Sequence, residues 1–241
     1  MQKSILGIMN FPKLFLNHNK KERFKNFFRQ FENIFFFSRL EKELANSKSV
    51  LDVGCGNDSS LGRLAKTFSS EGIDIYPRCI EISKRNHYHD TYKLGDVRKL
   101  GKYYKNKSFD TLISIDVIEH LTKQEALKMI SQMEKIARKK VILMTPQGYI
   151  DQKAYDGNPY QVHHSGWSKK DLQDMGYQVY GLRGLKYLRN DEASIRFSPW
   201  IFWGLFSAVT EILLFFFPDL SFQLFAVKSL EHDSPKNKTH E

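Results

Sequence analysis

Short apolar segments of strand length recur along the middle of this 241-residue chain and alternate with stretches of helical periodicity. Between Gln124 and Lys140 the apolar residues recur at three- and four-residue intervals, as in a helix with one buried stripe. Predicted strands lie at 50–53, within 71–77 with an end at Asp74, and at 109–116, 141–146, 176–180 and 221–228. Strands that alternate with helices predict an α/β fold, with a parallel sheet covered by helices on both faces.

The first predicted strand runs directly into a glycine turn, Gly54-Cys55-Gly56, and a stretch of helical character follows. Glycine lets the backbone turn tightly and approach a ligand closely. The predicted helix would offer free N–H groups to a polar or anionic ligand group. A dinucleotide site would need a third glycine where Ser59 stands, and Asp52 would repel a pyrophosphate. A carboxylate at that place suits the cationic end of an amino acid.

Three further acids, Asp74, Asp96 and Asp116, stand at or near the ends of strand-like segments. Asp74 follows the glycine turn by about 20 residues, the distance at which an α/β unit brings an acid to ribose hydroxyls. One carboxylate can accept from both hydroxyls of a ribose. Ligands of open parallel sheets bind beyond the carboxyl ends of the strands. We therefore expect these acids and Asp52 to meet around one pocket.

These segments resemble the motifs of class I S-adenosylmethionine (SAM) methyltransferases, in particular the type 11 and ubiquinone-pathway-like members. The resemblance covers residues 48–148 with specific motifs and 162–228 more weakly, and Tyr76 stands where the family usually has serine. The matching motifs are Val50-Leu51-Asp52-Val53-Gly54-Cys55-Gly56, Leu94-Gly95-Asp96-Val97 and Val117-Ile118-Glu119-His120-Leu121.

The resemblance implies a Rossmann-like, seven-stranded, mainly parallel sheet with helices on both faces and an antiparallel last strand. It implies SAM as the cofactor. Asp96 would accept a hydrogen bond from the adenine amino group, and the next backbone N–H would reach a ring nitrogen. The implied cofactor-binding residues are Asp52, Gly54, Cys55, Gly56, Asp74, Ile75, Asp96, Val97 and Asp116.

Two histidines are candidates for a catalytic base, His120 on the substrate side of the fourth strand and, after it, His164. Asp116, Glu119 and His120 are similar to a cluster that binds a divalent metal in ubiquinone-pathway O-methyltransferases, but aspartate replaces its first glutamate. We assign no metal from the sequence. Cys55 is interpreted as a small turn residue rather than a nucleophile.

The chain divides into a basic, aromatic, helical extension (1–45), a methyltransferase domain (46–230) and a disordered polar tail (231–241). Within the domain, 199–218 is an apolar insertion that is long enough to span a membrane. A strand must rejoin the sheet soon after Pro218, which argues against a span. The segment is either a helix in the membrane interface, a wall of an apolar substrate pocket, or a buried helix or dimer contact.

The formal net charge of +10 at pH 7 favours contact with an anionic membrane surface. The lysines are scattered and no RNA-binding motif is present, so a nucleic-acid partner is disfavoured. Two cysteines exclude a disulfide scaffold and favour a reducing compartment, hence a cytoplasmic location. The apolar insertion and the charge add peripheral membrane association as one possibility. The sequence does not indicate an oligomeric state.

The resulting hypothesis is SAM-dependent methyl transfer to an oxygen, nitrogen or carbon nucleophile. The acceptor is a small or lipid-linked molecule, such as a quinone, a lipid or a glycan intermediate. The alternatives are a non-catalytic SAM-fold binding module, an RNA methyltransferase and a nicotinamide-dependent dehydrogenase. The missing third glycine disfavours the last of these.

Overall fold

The computed structural model describes residues 34–154, 157–190 and 195–230. Seven strands form one sheet in the order β3-β2-β1-β4-β5-β7-β6. They are β1 (Ser49–Val53), β2 (Ser69–Asp74), β3 (Thr91–Leu94), β4 (Phe109–Ile115), β5 (Ala137–Pro146), β6 (Gln178–Leu185) and β7 (Ser221–Ser229). The first five strands are parallel, and β7 lies antiparallel between β5 and β6. This confirms the predicted α/β fold with an antiparallel last strand.

In the described residues, five α-helices accompany the sheet. They are α1 (34–44, in the described part), α2 (Pro77–Arg85), α3 (Lys123–Ile136), α4 (Lys169–Asp174) and α5 (Trp200–Phe216). Thr122 caps α3 and forms a reciprocal capping box with Glu125, and Ser168 caps α4 in the same way with Asp171. The rest of the predicted N-terminal extension (1–33) and the predicted tail (231–241) lie outside the described residues.

The prediction that the third helix extends to Lys140 is wrong, because the helix ends at Ile136 and β5 begins at Ala137. Arg138 leaves the helical path to bond the Asp110 carboxylate, with Nε 2.7 Å from Oδ1. The Lys139 carbonyl accepts from Leu230 N–H at 2.7 Å. Contacts with the sheet, made by the Arg138 side chain and by the backbone, thus end the helix at Ile136, before the end of the stretch that was predicted to be helical.

The helix predicted after the glycine turn is only a short 3₁₀ segment, Ser60–Arg63. The Ser59 hydroxyl caps it by accepting from Leu61 N–H at 3.2 Å. Serine and aspartate side chains compete for backbone hydrogen bonds and favour turns over helix, which explains the difference.

Apolar side chains fill both faces of the sheet. On one face, Phe36 and Leu40 of α1 join a buried cluster with Phe225 of β7, and the Phe36 and Phe225 rings meet edge-on at 6.1 Å. Burial of two side chains of this size contributes about 3–6 kcal/mol. The other face packs on α3 through residues such as Met129 and Met133. The described part of the N-terminal extension is therefore a covering helix of the sheet.

Helix α5 coincides with the predicted apolar insertion, and its orientation is unusual. Its buried side carries Gly204, Ser207, Glu211 and Leu214, and Glu211 Oε1 accepts from Arg183 N–H at 2.9 Å. Its exposed side is apolar and continues past the helix to Leu220. The exposed apolar residues are Ile201, Phe202, Leu205, Phe206, Val209, Ile212, Leu213, Phe216, Phe217 and Leu220. Among the residues that the structure describes, no helix combines the length and apolar character needed to cross a bilayer.

Candidate cofactor and acceptor site

The glycine turn lies at the carboxyl end of β1, in the middle of the sheet. Gly54 and Gly56 have φ angles of +76° and +59°, which L side chains rarely adopt. The N–H groups of Gly54 and Cys55 both bond the Ile73 carbonyl, at 2.8 and 3.1 Å. A Cβ on Gly54 would lie 2.5 Å from Val117 Cγ2, whereas a Cβ on Gly56 would meet no atom within 4 Å. Gly54 therefore fits the protein closely, and Gly56 faces open space.

Asp74, the last residue of β2, is bonded to the glycine turn. Its carboxylate accepts from Gly56 N–H at 2.9 Å and from Tyr76 N–H at 2.8 Å. Burial raises the pKa of Asp74 above its usual value, and these backbone hydrogen bonds oppose the shift. Ile75 follows directly and leads into α2. Asp74 thus stands where sequence spacing predicted an acid beside the turn.

Asp52 lies beneath the turn and is buried. Its Oδ2 accepts from Ser59 Oγ at 2.5 Å and lies 3.3 Å from His89 Nε2. The His89 contact lacks hydrogen-bond alignment, and neither ring nitrogen of His89 has a hydrogen-bond partner among the described residues. In this structure Asp52 supports the turn from inside, and its contact with a cofactor stays a prediction.

Asp96 lies at the same end of the sheet as Asp74. The parallel pairing of β2 and β3 places Asp74 opposite Leu94, and Gly95 N–H donates to the Asp74 carbonyl at 2.9 Å. Arg98 binds both Asp96 carboxylate oxygens, through Nε at 2.9 Å and an Nη at 3.0 Å. Burial alone raises the pKa of Asp96, but the Arg98 bonds hold it below its usual value. Val97, the next residue, is buried and begins a 3₁₀ segment.

A second group of acids follows β4. Asp116 has a φ of +53°, and its Oδ1 accepts from Gln223 Nε2 at 2.8 Å. Glu119 is buried, and its Oε2 accepts from Thr145 Oγ1 at 2.9 Å. Burial and the nearby Asp116 charge raise the pKa of Glu119 well above its usual value. Burial likewise raises the pKa of Asp116, which the charge of Arg183 opposes. The segment that carries these carboxyls passes beside the turn, because Val117 lies against Gly54.

The two candidate bases differ in their surroundings. Burial, with a smaller effect of the neighbouring His163, lowers the pKa of His120 to about 4, so its ring is neutral near pH 7. The rings of His120 and His163 are 4.7 Å apart between centroids. His164 is exposed, and its N–H donates to the Glu119 carbonyl at 2.8 Å. The fold therefore places His163, rather than His164, beside His120.

Cys55 and Cys79 are both buried, and no disulfide joins them. Burial, together with the Asp52 charge, raises the pKa of the Cys55 thiol strongly. A thiol that resists ionisation is a poor nucleophile, in line with the interpretation of Cys55 as a turn residue.

Sequence reasoning missed Arg98, Ser59, Gln223 and the role of His163. Ser59 follows the glycine turn at the place of the absent third glycine, which was an available signal. Arg98 lies two residues after Asp96, a spacing that carries no information in an irregular segment. Gln223 and His163 reach the site only through the fold.

The residues at the sheet edge fit an adenosyl cofactor. Gly56, where no side chain obstructs the backbone, lies beside Asp74, and Asp96 lies two residues beyond the end of the neighbouring strand β3. Asp74 would hold the ribose hydroxyls, and Asp96, oriented by Arg98, would stand at the adenine end.

Comparison with known proteins identifies the family to which the chain belongs. A family model described as a methyltransferase domain matches residues 44–177. An uncharacterized protein of Methanocaldococcus jannaschii is 26% identical over 148 residues, which span 59% of this chain and 61% of that protein. The match thus spans less than two thirds of that relative.

Solved methyltransferases share the fold. A SAM-dependent methyltransferase from Archaeoglobus fulgidus matches with a TM-score of 0.54 and 15% identity over 88% of this chain and all of that one (100%). Magnesium protoporphyrin IX methyltransferase from Synechocystis, with bound SAM, matches with a TM-score of 0.50 and 22% identity over 88% of this chain and 86% of that one. Because the matched family model covers more than half of the sequence, the chain belongs to the methyltransferase domain family, whose members take their methyl group from S-adenosylmethionine.

Proposed function

We propose that this protein transfers the SAM methyl group to an oxygen, nitrogen or carbon nucleophile of a small or lipid-linked acceptor. One observation carries the proposal: the glycine turn, Asp74 and Asp96 meet at one edge of the sheet although the sequence separates them widely. A site that bound neither ribose nor adenine would have no need of this arrangement, which argues against a module that has lost its cofactor.

The residues of the chain would act mainly by positioning. The bound donor supplies an electrophilic sulfonium methyl, so holding the acceptor in line with it supplies much of the rate enhancement. Asp74 and Asp96 would fix the adenosyl part. The turn from Val117 to His120 lies against Gly54 and would form the acceptor side. His120 is neutral near pH 7, so its unprotonated ring nitrogen can accept a proton when no ion is bound to it, although its low pKa makes it a weak base.

Isothermal titration calorimetry of the full chain tests the cofactor class. We expect S-adenosylhomocysteine to bind at about one equivalent with a micromolar dissociation constant, and NADH to give no heat of binding. Binding of NADH in preference to S-adenosylhomocysteine would show a dehydrogenase-type site. The absence of heat with both ligands would refute the proposed methyl transfer.

The surface of α5 supports a lipid-linked acceptor or a membrane-bound pool of acceptor. The only charged residue of the helix, Glu211, is on the buried side, so the exposed side presents apolar side chains alone. At one end, the rings of Tyr187, Phe197 and Trp203 form a chain with centroids 5.6 Å apart, and the Arg196 guanidinium lies 5.6 Å from the Phe197 ring centroid. Aromatic rings next to arginine suit the headgroup boundary of a bilayer, and the net charge of +10 suits anionic lipid.

Vesicle flotation tests this surface. We expect the protein to float with vesicles that contain phosphatidylserine. The double variant Leu205→Asp/Leu213→Asp should partition into these vesicles at least about tenfold less, because burial of each exposed leucine side chain in lipid contributes about 1.5–3 kcal/mol. Leu127→Asp is the matched control, since Leu127 is an exposed leucine on α3. Equal flotation of all three proteins would exclude the α5 surface as the membrane contact. A wild-type dimer that dissociates in the double variant, without flotation, would identify the surface as a dimer contact.

A further inference from the structure

A cluster of one carboxylate and two imidazoles lies on the proposed acceptor side. Glu119, His120 and His163 each offer one potential ligand atom, and these three atoms lie within 4.8 Å of one another. We propose that Glu119, His120 and His163 bind one divalent transition-metal ion. The sequence motif grouped Asp116, Glu119 and His120 and led to no metal assignment, whereas in the structure His163 lies with Glu119 and His120. Asp116 instead accepts a hydrogen bond from Gln223.

Both imidazoles are held as the same tautomer. His120 Nδ1 lies 3.3 Å from the Val162 carbonyl oxygen, and His163 Nδ1 lies 2.8 Å from the Ile150 carbonyl oxygen. A carbonyl can only accept, so Nδ1 carries the proton in each ring and Nε2 keeps its lone pair. Histidines that bind metals commonly donate their other ring N–H to a backbone carbonyl, which fixes the ring orientation. The two rings are therefore prepared to bind a cation.

The carboxylate is fixed as well. Glu119 is 3% exposed, and Thr145 Oγ1 donates to its Oε2 at 2.9 Å. A buried carboxylate beside a second acid, Asp116, is costly in free energy unless positive charge compensates it. A cation bound by Glu119 would provide that compensation.

The fold joins the two chain segments that carry the ligands. His164 N–H and Ser165 N–H both donate to the Glu119 carbonyl, at 2.8 and 3.1 Å. The Ser165 hydroxyl donates to the Ile118 carbonyl at 3.2 Å and accepts from the buried Trp167 Nε1 at 3.0 Å. These bonds hold the ligands close together before any ion binds.

The ligand set indicates the class of ion. Two imidazoles and one carboxylate suit Zn²⁺, Fe²⁺ or Mn²⁺, whereas Mg²⁺ and Ca²⁺ prefer oxygen ligands. With bonds of about 2.1 Å, neighbouring ligand atoms are about 3–3.5 Å apart, so side-chain movements on the order of 1 Å would close the set on an ion. Three protein ligands leave positions open for water or for an acceptor oxygen. Binding of an acceptor oxygen there rests on the proposed methyl transfer, whereas metal binding itself does not.

Titration of Co²⁺ into the chelator-treated full chain, without an affinity tag, tests the site through the visible absorption of the bound ion. We expect one equivalent to bind and Zn²⁺ to displace it. Glu119→Gln and His163→Ala should each weaken binding by at least 100-fold. His164→Ala should change the affinity less than twofold, because it removes the adjacent histidine side chain and keeps the backbone bond to Glu119.

Three outcomes would overturn the proposal: no stoichiometric binding by the wild type, equal loss in His164→Ala and His163→Ala, or unchanged affinity in Glu119→Gln. Glu119→Gln keeps the shape of the side chain and its contact with Thr145, so it separates ligation from folding if His163→Ala is unstable. Calorimetry with S-adenosylhomocysteine on the metal-free protein keeps the two proposals distinct. Cofactor binding without metal binding would refute only the metal site, and metal binding without cofactor binding would refute only the methyl transfer.

Discussion

Asp74→Ala is expected to weaken S-adenosylhomocysteine binding by at least about 100-fold, because two charge-assisted hydrogen bonds to the ribose hydroxyls are worth about 1.5–3 kcal/mol each. The variant also removes the acceptor of the Gly56 and Tyr76 N–H groups. Both effects act on the cofactor site, the first on the ligand and the second on the turn. Calorimetry at neutral pH measures the loss.

Two variants separate these effects from general damage. Asp74→Asn keeps one oxygen acceptor, and we expect it to lose affinity by only about tenfold, the equivalent of about 1.4 kcal/mol. Asp90→Ala is the matched control, because the Asp90 carboxylate bonds the backbone N–H of Ser70 at the opposite end of β2, at 2.6 Å. It should bind S-adenosylhomocysteine like the wild type. An affinity of Asp74→Ala within threefold of the wild type would remove Asp74 from the proposed ribose site.

The meeting of Asp74 and Asp96 could be predicted from the sequence because it follows from topology. Parallel strands joined by crossovers bring their carboxyl ends to one edge, so acids at these ends become neighbours whatever their separation along the chain. The register of β2 and β3, with Asp74 opposite Leu94, realises this expectation. The same logic placed Val117 to His120 beside the glycine turn.

What the sequence could not predict depends on side-chain geometry in irregular segments. The bond between Arg98 and Asp96 depends on the path of a 3₁₀ segment, which has no periodicity to reveal it. His163 and His164 are equivalent in sequence, and only the path of the loop decides which ring faces His120. The stretch after the glycine turn does not form a full helix, because side chains such as Ser59 compete for its backbone hydrogen bonds.

Helix α5 shows a different limit of prediction from sequence. Its sequence is apolar on nearly every side, so its periodicity does not reveal which side packs on the sheet. The structure buries the polar minority, Ser207 and Glu211, because Gly181 and Gly184 of β6 let the helix approach closely. The polar positions were visible in the sequence, but an exposed apolar surface opposes the usual rule that apolar residues lie inside. A surface of this kind indicates contact with another apolar surface.

The two glycines of the turn are expected to fail in different ways when each is replaced by alanine. In Gly54→Ala the new Cβ would lie 2.5 Å from Val117 Cγ2 at a φ of +76°. Strain of about 1–2 kcal/mol and overpacking of about 1–3 kcal/mol should lower the free energy of unfolding by about 2–5 kcal/mol. In Gly56→Ala only the strain at φ +59° applies, because no protein atom lies within 4 Å of the new Cβ. This variant should lose only about 1–2 kcal/mol of stability.

Replacement of Gly56 by alanine should affect cofactor binding more than stability, since the new methyl group would project into the open space where we place the ligand. We expect Gly56→Ala to stay folded while its affinity for S-adenosylhomocysteine falls by at least about tenfold, or about 1.4 kcal/mol.

For Gly54, the double variant Gly54→Ala/Val117→Ala should recover part of the lost stability, because it removes the side chain that the methyl group meets. Denaturant unfolding and calorimetry measure the two quantities separately. If Gly56→Ala binds like the wild type, the ligand does not approach the turn at Gly56. If Val117→Ala rescues nothing, the loss in Gly54→Ala comes from backbone strain alone.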